Sequence, residues 1–193
     1  RGNRVMKRVL FLVNHDVVIY NFRRELVEEL LKEGCEVIIS SPYGERIDLL
    51  KDLGCKYIET KLDRHGTNPI TEIKLLFYYM ELIKAVKPDI ILSYTIKPNL
   101  YGALAAAKCK VPILVNITGL GSAVENPGCL QKAMITAYKI AFQNVKKIFV
   151  QNEENQHFFV QHHISEDKLK LLPGSGVNLQ QFHVLDYPEG ENV

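Results

Sequence analysis

The 193 residues are 47% hydrophobic and carry 24 Lys and Arg against 22 Asp and Glu, a formal net charge of +2. That apolar content supplies a core, which excludes a disordered chain, and the near-balance of charge gives no case for nucleic acid, whose binders cluster a basic excess. No apolar run reaches the roughly 18–20 residues that cross a bilayer, and the scattered Cys35, Cys55, Cys109 and Cys129 show no C-x-x-C spacing, so they read as small buried residues of a reducing compartment rather than a zinc site or disulfide framework.

In chain order, residues 1–5 precede Met6, a natural start, and are expected to lie outside the fold. Residues 8–13 (RVLFLV) are a short continuous apolar run, the pattern of a strand buried on both faces. Residues 14–18 read as its exit loop. A helix is then expected, with Ile19, Phe22, Leu26, Val27, Leu30 and Leu31 at helical spacing and Gly34 as its stop. EVIISS at 36–41 is a second strand, 45–53 a short helix, and 56–60 a third strand.

A polar loop at 62–68 contains Arg64-His65-Gly66, and Asn68-Pro69 reads as cap and first turn of a helix whose apolar stripe is Ile73, Leu76, Phe77, Met80 and Ile83. IILS at 90–93 is a fourth strand, YTIKP at 94–98 a loop, and 99–108 an Ala-rich helix able to pack close to a sheet. The Pro-started run VPILVNI from residue 111 is a fifth strand, emptying into Thr118-Gly119-Leu120-Gly121-Ser122. Leu130, Ala133, Met134, Ala137, Tyr138 and Ala141 mark a helix, 147–150 a sixth strand, 153–163 a polar helix, and 170–172 a last strand ending in Pro-Gly-Ser-Gly.

This alternation predicts an α/β fold, a Rossmann-like parallel sheet of about seven strands with helices on both faces. Residues 6–182 read as one domain. The acidic, turn-rich tail, 183–193, reads as the start of a linker toward a further domain.

A dinucleotide site is the first idea such a sheet suggests, and the specifics oppose it. The first strand-to-helix turn, Asn14-His15-Asp16-Val17-Val18, has no glycine, and the second strand ends in Ser40-Ser41 where an acidic residue would hold a ribose. Gly119-x-Gly121 lacks the third glycine, and no P-loop pattern occurs. What remains is a row of polar loops at strand ends, all on one rim of a parallel sheet. Their amides, hydroxyls, single His and single Lys suit polyhydroxyl or phosphate recognition better than a metal. The candidates for acceptor or phosphate contact are Asn14, His15, Thr95, Lys97, Thr118, Gly119, Gly121, Ser122 and Ser175, with His15 and Thr118 the candidates for chemistry. Each has a plainer reading: His15 as a loop histidine held by backbone, Lys97 as a solvated lysine, the glycines as turn formers. Glu153-Glu154 favour a helix N-terminus, and Tyr78-Tyr79 pack or edge a helix.

Taken together, HDVVIYNFRRELVEELLKEG, SSPYGE, LDRHGTNP, YTIKPNLYG, NITGLGSA, QNEEN and LLPGSGVNLQQF resemble the N-terminal half of bacterial GT4-type glycosyltransferases, over about residues 7–182. The resemblance is to capsule, O-antigen and N-glycan enzymes that extend undecaprenyl-diphosphate-linked sugars. It implies one half of a GT-B fold, two Rossmann-like domains facing a cleft. The half seen here would receive a lipid-linked sugar acceptor, and the nucleotide-sugar would bind a second domain whose E-x7-E region this sequence does not contain. The implied reaction is retaining and uses no cofactor and no metal, and this chain alone is expected to be inactive. Relatives often carry His where Thr118-Gly119 stand here and a Gly-rich first loop in place of Asn14-His15-Asp16.

The lipid implies a cytoplasmic enzyme peripheral to the inner membrane, with Ile135 and Ile140, off the core stripe, and Lys132, Lys139, Lys146 and Lys147 as a candidate contact surface. Two other readings stand beside this one: half of a GT-B nucleotide-sugar 2-epimerase, and a non-catalytic sugar- or nucleotide-binding α/β module.

Overall fold

A computed structural model describes residues 6–60, 68–121, 124 and 127–179. The expectations for 1–5, the Arg64-His65-Gly66 loop, Ser122 and 183–193 lie outside the described residues. The apolar runs become β1 (Arg8–Leu12), β2 (Glu36–Ser41), β3 (Lys56–Glu59), β4 (Ile90–Tyr94), β5 (Ile113–Ile117), β6 (Lys147–Val150) and β7 (Leu169–Leu171). Between them run α1 (Asp16–Phe22), α2 (Arg24–Lys32), α3 (Arg46–Asp52), α4 (Pro69–Val86), α5 (Ile96–Cys109), α6 (Cys129–Ala141) and α7 (Glu153–Gln161). The strands form a wholly parallel sheet of order β3-β2-β1-β4-β5-β6-β7.

Strand alternation splits the core in two. Leu10 and Leu12 point into a cluster with Leu75 and Tyr79 of α4, Ala103 of α5, Tyr138 of α6 and Phe159 of α7. Val9, Phe11 and Val13 point the other way, onto Ile19, Val27, Ile47 and Leu50 of α1–α3. Leu10, Phe11, Leu12 and Val13 are all fully buried, each side chain contributing roughly 1.5–3 kcal/mol. The small-residue helix behaves as expected: a Cβ on Gly102 would stand 2.8 Å from a Leu12 methyl, so α5 lies directly on β1.

Local capping corrects several boundaries. The first helix begins at Asp16, inside the expected loop, with His15 in extended conformation at its N-cap and its Nδ1 3.2 Å from Val17 N. The single helix expected after β1 is two, broken at Arg23, whose φ of −138° leaves the helical region. Phe22 and Leu26 of its expected stripe are exposed. α5 starts at Ile96, so Lys97 and Pro98 lie in its first turn and not in a loop; the missing N–H of Pro98 costs nothing there. Asn68 does cap α4, accepting from Ile70 N at 3.0 Å.

Two helix faces are rotated from expectation. In α4 the buried residues are Leu75, Tyr79, Leu82 and Ile83, while Ile73 and Phe77 are exposed. In α6, Leu130 and Ala133 are exposed and Ile135 is half-buried against the core. Both helices carry apolar residues on more than one face, so more than one stripe satisfies the helical spacing. Cys55 is buried, Cys35 and Cys109 are half-buried and Cys129 is exposed, against the expectation of uniform burial; all four are free thiols.

Candidate functional site

The carboxyl ends of β1, β4 and β5 are neighbours: Leu12 is in register with Ser93, and Tyr94 with Asn116. Strands in a sheet lie about 4.8 Å apart, so the loops carrying Asn14-His15, Thr95 and Thr118-Gly119 span roughly 10 Å of one rim. Three of the candidate loops are thereby brought together. Ser175 reaches the rim from the far end of the sheet.

The β1–α1 loop is built around Asp16, 2% exposed. Asp16 Oδ2 accepts the backbone N–H of Arg46 at 2.7 Å, tying this loop to the start of α3. Its Oδ1 lies 2.6 Å from His15 Nδ1. Nδ1 cannot both donate to the carboxylate and accept from Val17 N, and the shorter, charge-assisted contact prevails. We therefore assign the proton to Nδ1, which leaves Nε2 as the basic nitrogen of a half-exposed ring. Gly44 completes the arrangement, since a Cβ there would collide with the Asp16 carboxylate.

Under the β4 and β5 loops runs a buried polar network. Ser93 Oγ donates to Asn99 Oδ1 (2.7 Å), Asn99 Nδ2 donates to the Asn116 carbonyl (2.8 Å), and Asn116 Nδ2 donates to the Ser93 carbonyl (3.4 Å). Above it Thr95 holds φ 72°, ψ 160°, a combination essentially reserved for glycine and costing a β-branched residue of order 1–3 kcal/mol. Lys97, one turn on, is only 17% exposed and pairs with Glu72 of α4 at 2.6 Å. Tyr101 stands by the same carboxylate, and burial together with Glu72 pushes its phenol up to about 12.

The β5 loop is anchored by Leu120, buried, while Thr118 and Gly119 are exposed. Gly121 takes φ 76° and lies so near Ile96 of α5 that a Cβ would come within 2.8 Å of its methyl, so no other residue fits there without strain. Ser175 Oγ accepts from Arg23 Nη1 at 2.8 Å, and the Arg23 guanidinium stands 5.1 Å from the Tyr94 ring centroid. A mostly apolar cavity of about 520 Å³ lies beside it, between Leu26 and Leu30 of α2 and Leu92, Leu114 and Phe149 of the sheet. Asp16, Ser93, Asn99, Asn116 and Arg23 were not among the sequence candidates. Polar residues set inside apolar runs, as in ILS and VNI, were the available signal for two of them.

Among the described residues no group of three or more His, Cys, Asp or Glu is placed to hold a metal ion. None of the described helices is long and apolar enough to cross a membrane.

Parallel order, crossover helices on both faces and a rim of hydroxyl, amide and imidazole groups define one Rossmann-like domain of the GT-B class. The family profile described as "Glycosyl transferase 4-like" matches residues 8–152, and the chain belongs to that family. It is 30% identical over 189 residues to the N,N'-diacetylbacillosaminyl-diphospho-undecaprenol alpha-1,3-N-acetylgalactosaminyltransferase of Campylobacter jejuni, the match covering 95% of this chain and 50% of the relative. The crystal structure of a glycosyltransferase from Rickettsia africae superposes with a TM-score of 0.72 at 23% identity, over 93% of this chain and 45% of that one. A UDP-GlcNAc 2-epimerase from Methanocaldococcus jannaschii superposes with a TM-score of 0.57 at 17% identity, over 86% and 45%. This chain spans about half the length of the curated relative it matches.

Proposed function

We propose that this chain is the acceptor-binding domain of a retaining glycosyltransferase that moves a sugar from a nucleotide-sugar to a saccharide linked to undecaprenyl diphosphate. The observation that carries the reading is the convergence of the β1, β4 and β5 loops on one rim, with the His15 ring oriented by buried Asp16. His15 Nε2 accepts a hydrogen bond from the acceptor hydroxyl, and Asn14, Thr95 and the exposed Thr118-Gly119 backbone contact its sugar. Lys97, paired with Glu72, braces the first turn of α5 beneath that sugar. The name of the Campylobacter relative makes an N-acetylhexosamine the first donor sugar to test. The nucleotide-sugar binds a partner domain outside this chain, and the chain alone does not turn over.

The reading also places the protein against the cytoplasmic face of the membrane. α4 and α6 share one side of the sheet and present exposed Ile70, Ile73 and Phe77 and exposed Leu130 and Ile140. Exposed Lys74 of α4 and exposed Lys132 and Lys139 of α6 add, on the same two helices, charge complementary to anionic lipid. Sedimentation with anionic vesicles is expected to carry the protein down, and less of it when Lys132 and Lys139 become Gln.

The deciding experiment measures release of the nucleoside diphosphate from a UDP-N-acetylhexosamine by the full-length protein, with and without a polyprenyl-diphosphate-linked saccharide. Release and product that both require the acceptor support the transferase. Conversion of the nucleotide-sugar to an epimer without acceptor identifies the epimerase reading instead, and binding without conversion identifies a non-catalytic module.

A further inference from the structure

Beside the rim, Arg24 and Arg46 line a cavity of about 640 Å³ between α1, the start of α2, the start of α3 and the segment after β7. Its walls include Tyr20, Arg24, Arg46, Ser175 and Asn178. The guanidinium groups of Arg24 and Arg46 both stand over the Tyr20 ring, 5.4 and 5.3 Å from its centroid. Arg23 reaches the same edge through Ser175 Oγ.

Holding the Arg24 and Arg46 guanidinium groups against one ring costs electrostatic energy unless anions answer them. Glu28 answers Arg24 at 2.8 Å. Glu25, also on the wall, acts on Arg24 through space and accepts from Asn178 Nδ2 at 3.1 Å. Among the described residues no carboxylate pairs with Arg23 or Arg46; Arg23 contacts the Ser175 hydroxyl, the Phe22 carbonyl and the Tyr94 ring, and Arg46 the Tyr20 ring. The Tyr20 ring holds both guanidinium groups, and it neutralises neither. The Arg46 fork, with no carboxylate partner among the described residues, and Arg24 beside it line an open, partly polar cavity and suit phosphate oxygens, which arginine binds in bidentate fashion. The volume exceeds what one phosphate fills.

We propose that Arg46 and Arg24, both held against Tyr20, form a binding site for a diphosphate, with Ser175 and the Arg23 behind it at its edge. In naming the diphosphate the inference rests on the transferase reading, in which both the lipid-linked acceptor and the nucleotide-sugar carry that group.

Binding of inorganic diphosphate to the full-length protein, followed by calorimetry at low and moderate salt, tests the site. Arg46→Gln is expected to weaken binding at least tenfold and Arg24→Gln at least threefold. Lys84→Gln, on α4 and outside the lining of this cavity, should leave it unchanged. Equal binding by wild type and Arg46→Gln overturns the proposal, as does an equal loss in Lys84→Gln, which would report net charge alone. Farnesyl diphosphate and UDP, titrated in the same variants, separate the sources. A loss confined to the prenyl compound assigns the site to the acceptor, a loss confined to UDP assigns it to the donor, and no loss with either overturns it. Diphosphate binding that depends on Arg46 in a protein without transferase activity would remove the functional reading and keep the site. Transfer with Arg46→Gln kinetics unchanged would do the reverse.

Discussion

The β1–α1 loop and the β5 loop leave the same rim two strands apart, yet they are held in different ways. The first is fastened from below: Asp16 is buried, bonds to the Arg46 backbone thirty residues away, and meets Gly44 too closely for any side chain there. The second is fastened at its far side, through Leu120 and Gly121, and leaves Thr118 and Gly119 in solvent. Between them the β4 loop carries strain, with Thr95 at φ 72°. The difference separates groups that set the geometry of the rim from groups free to meet a ligand. It also orders what mutation should do.

The largest effect is expected at Asp16. Asp16→Ala removes a charge-assisted bond to Arg46 N and the partner of His15, each such bond being worth about 1.5–3 kcal/mol. A loss of about 3 kcal/mol in urea unfolding is expected, and, on the proposed reading, acceptor-dependent turnover by the full-length protein falls as well. Gly44→Ala, which forces the same carboxylate to move, should cost roughly 1–3 kcal/mol. If Gly44→Ala is neutral while Asp16→Ala is severe, the carboxylate tolerates displacement and the loop is looser than its contacts indicate.

Thr95→Gly should move stability the other way. Relief of roughly 1–3 kcal/mol of backbone strain is partly offset by the roughly 0.5–1 kcal/mol entropic cost of glycine, for a net gain of about 1 kcal/mol. Activity should fall, because the hydroxyl and the fixed entry into α5 are both lost. A variant that is less stable than wild type would mean that the network beneath, Ser93, Asn99 and Asn116, draws on the Thr95 conformation for its own geometry.

The strands and their order of appearance were legible because a parallel sheet buries both faces of its strands, and continuous apolar runs bounded by polar loops say so directly. The row of rim loops followed from the same fact. The helix faces were less legible: Ile73 and Phe77 satisfy helical spacing as well as Leu75, Tyr79 and Leu82 do, and only the packing of α4 against α5 and the sheet decides between the stripes. Asp16 was hidden for a different reason. An aspartate at the first position of a helix is what the helix dipole favours anyway, so nothing local marks one whose second oxygen serves a backbone N–H of another loop. Arg46 and Tyr20 were hidden likewise, since their meeting depends on how α1 and α3 pack.

The smallest effect on stability, and the sharpest separation, is expected at Thr118. Its side chain is exposed and takes part in none of the buried bonding beneath the rim, so Thr118→Ala should change unfolding free energy by less than about 0.5 kcal/mol, as exposed substitutions generally do. If the β5 loop meets the acceptor, the full-length variant should nevertheless raise the KM for the lipid-linked saccharide several-fold and leave the KM for the nucleotide-sugar unchanged. Thr118→His, which places an imidazole in this exposed loop, should be equally stable and should shift the pH dependence of kcat of the full-length protein, since an imidazole titrates near neutrality where a hydroxyl does not. A Thr118→Ala variant with unchanged KM for both substrates would take the β5 loop out of the acceptor site and leave the rim's function to the side fastened by Asp16.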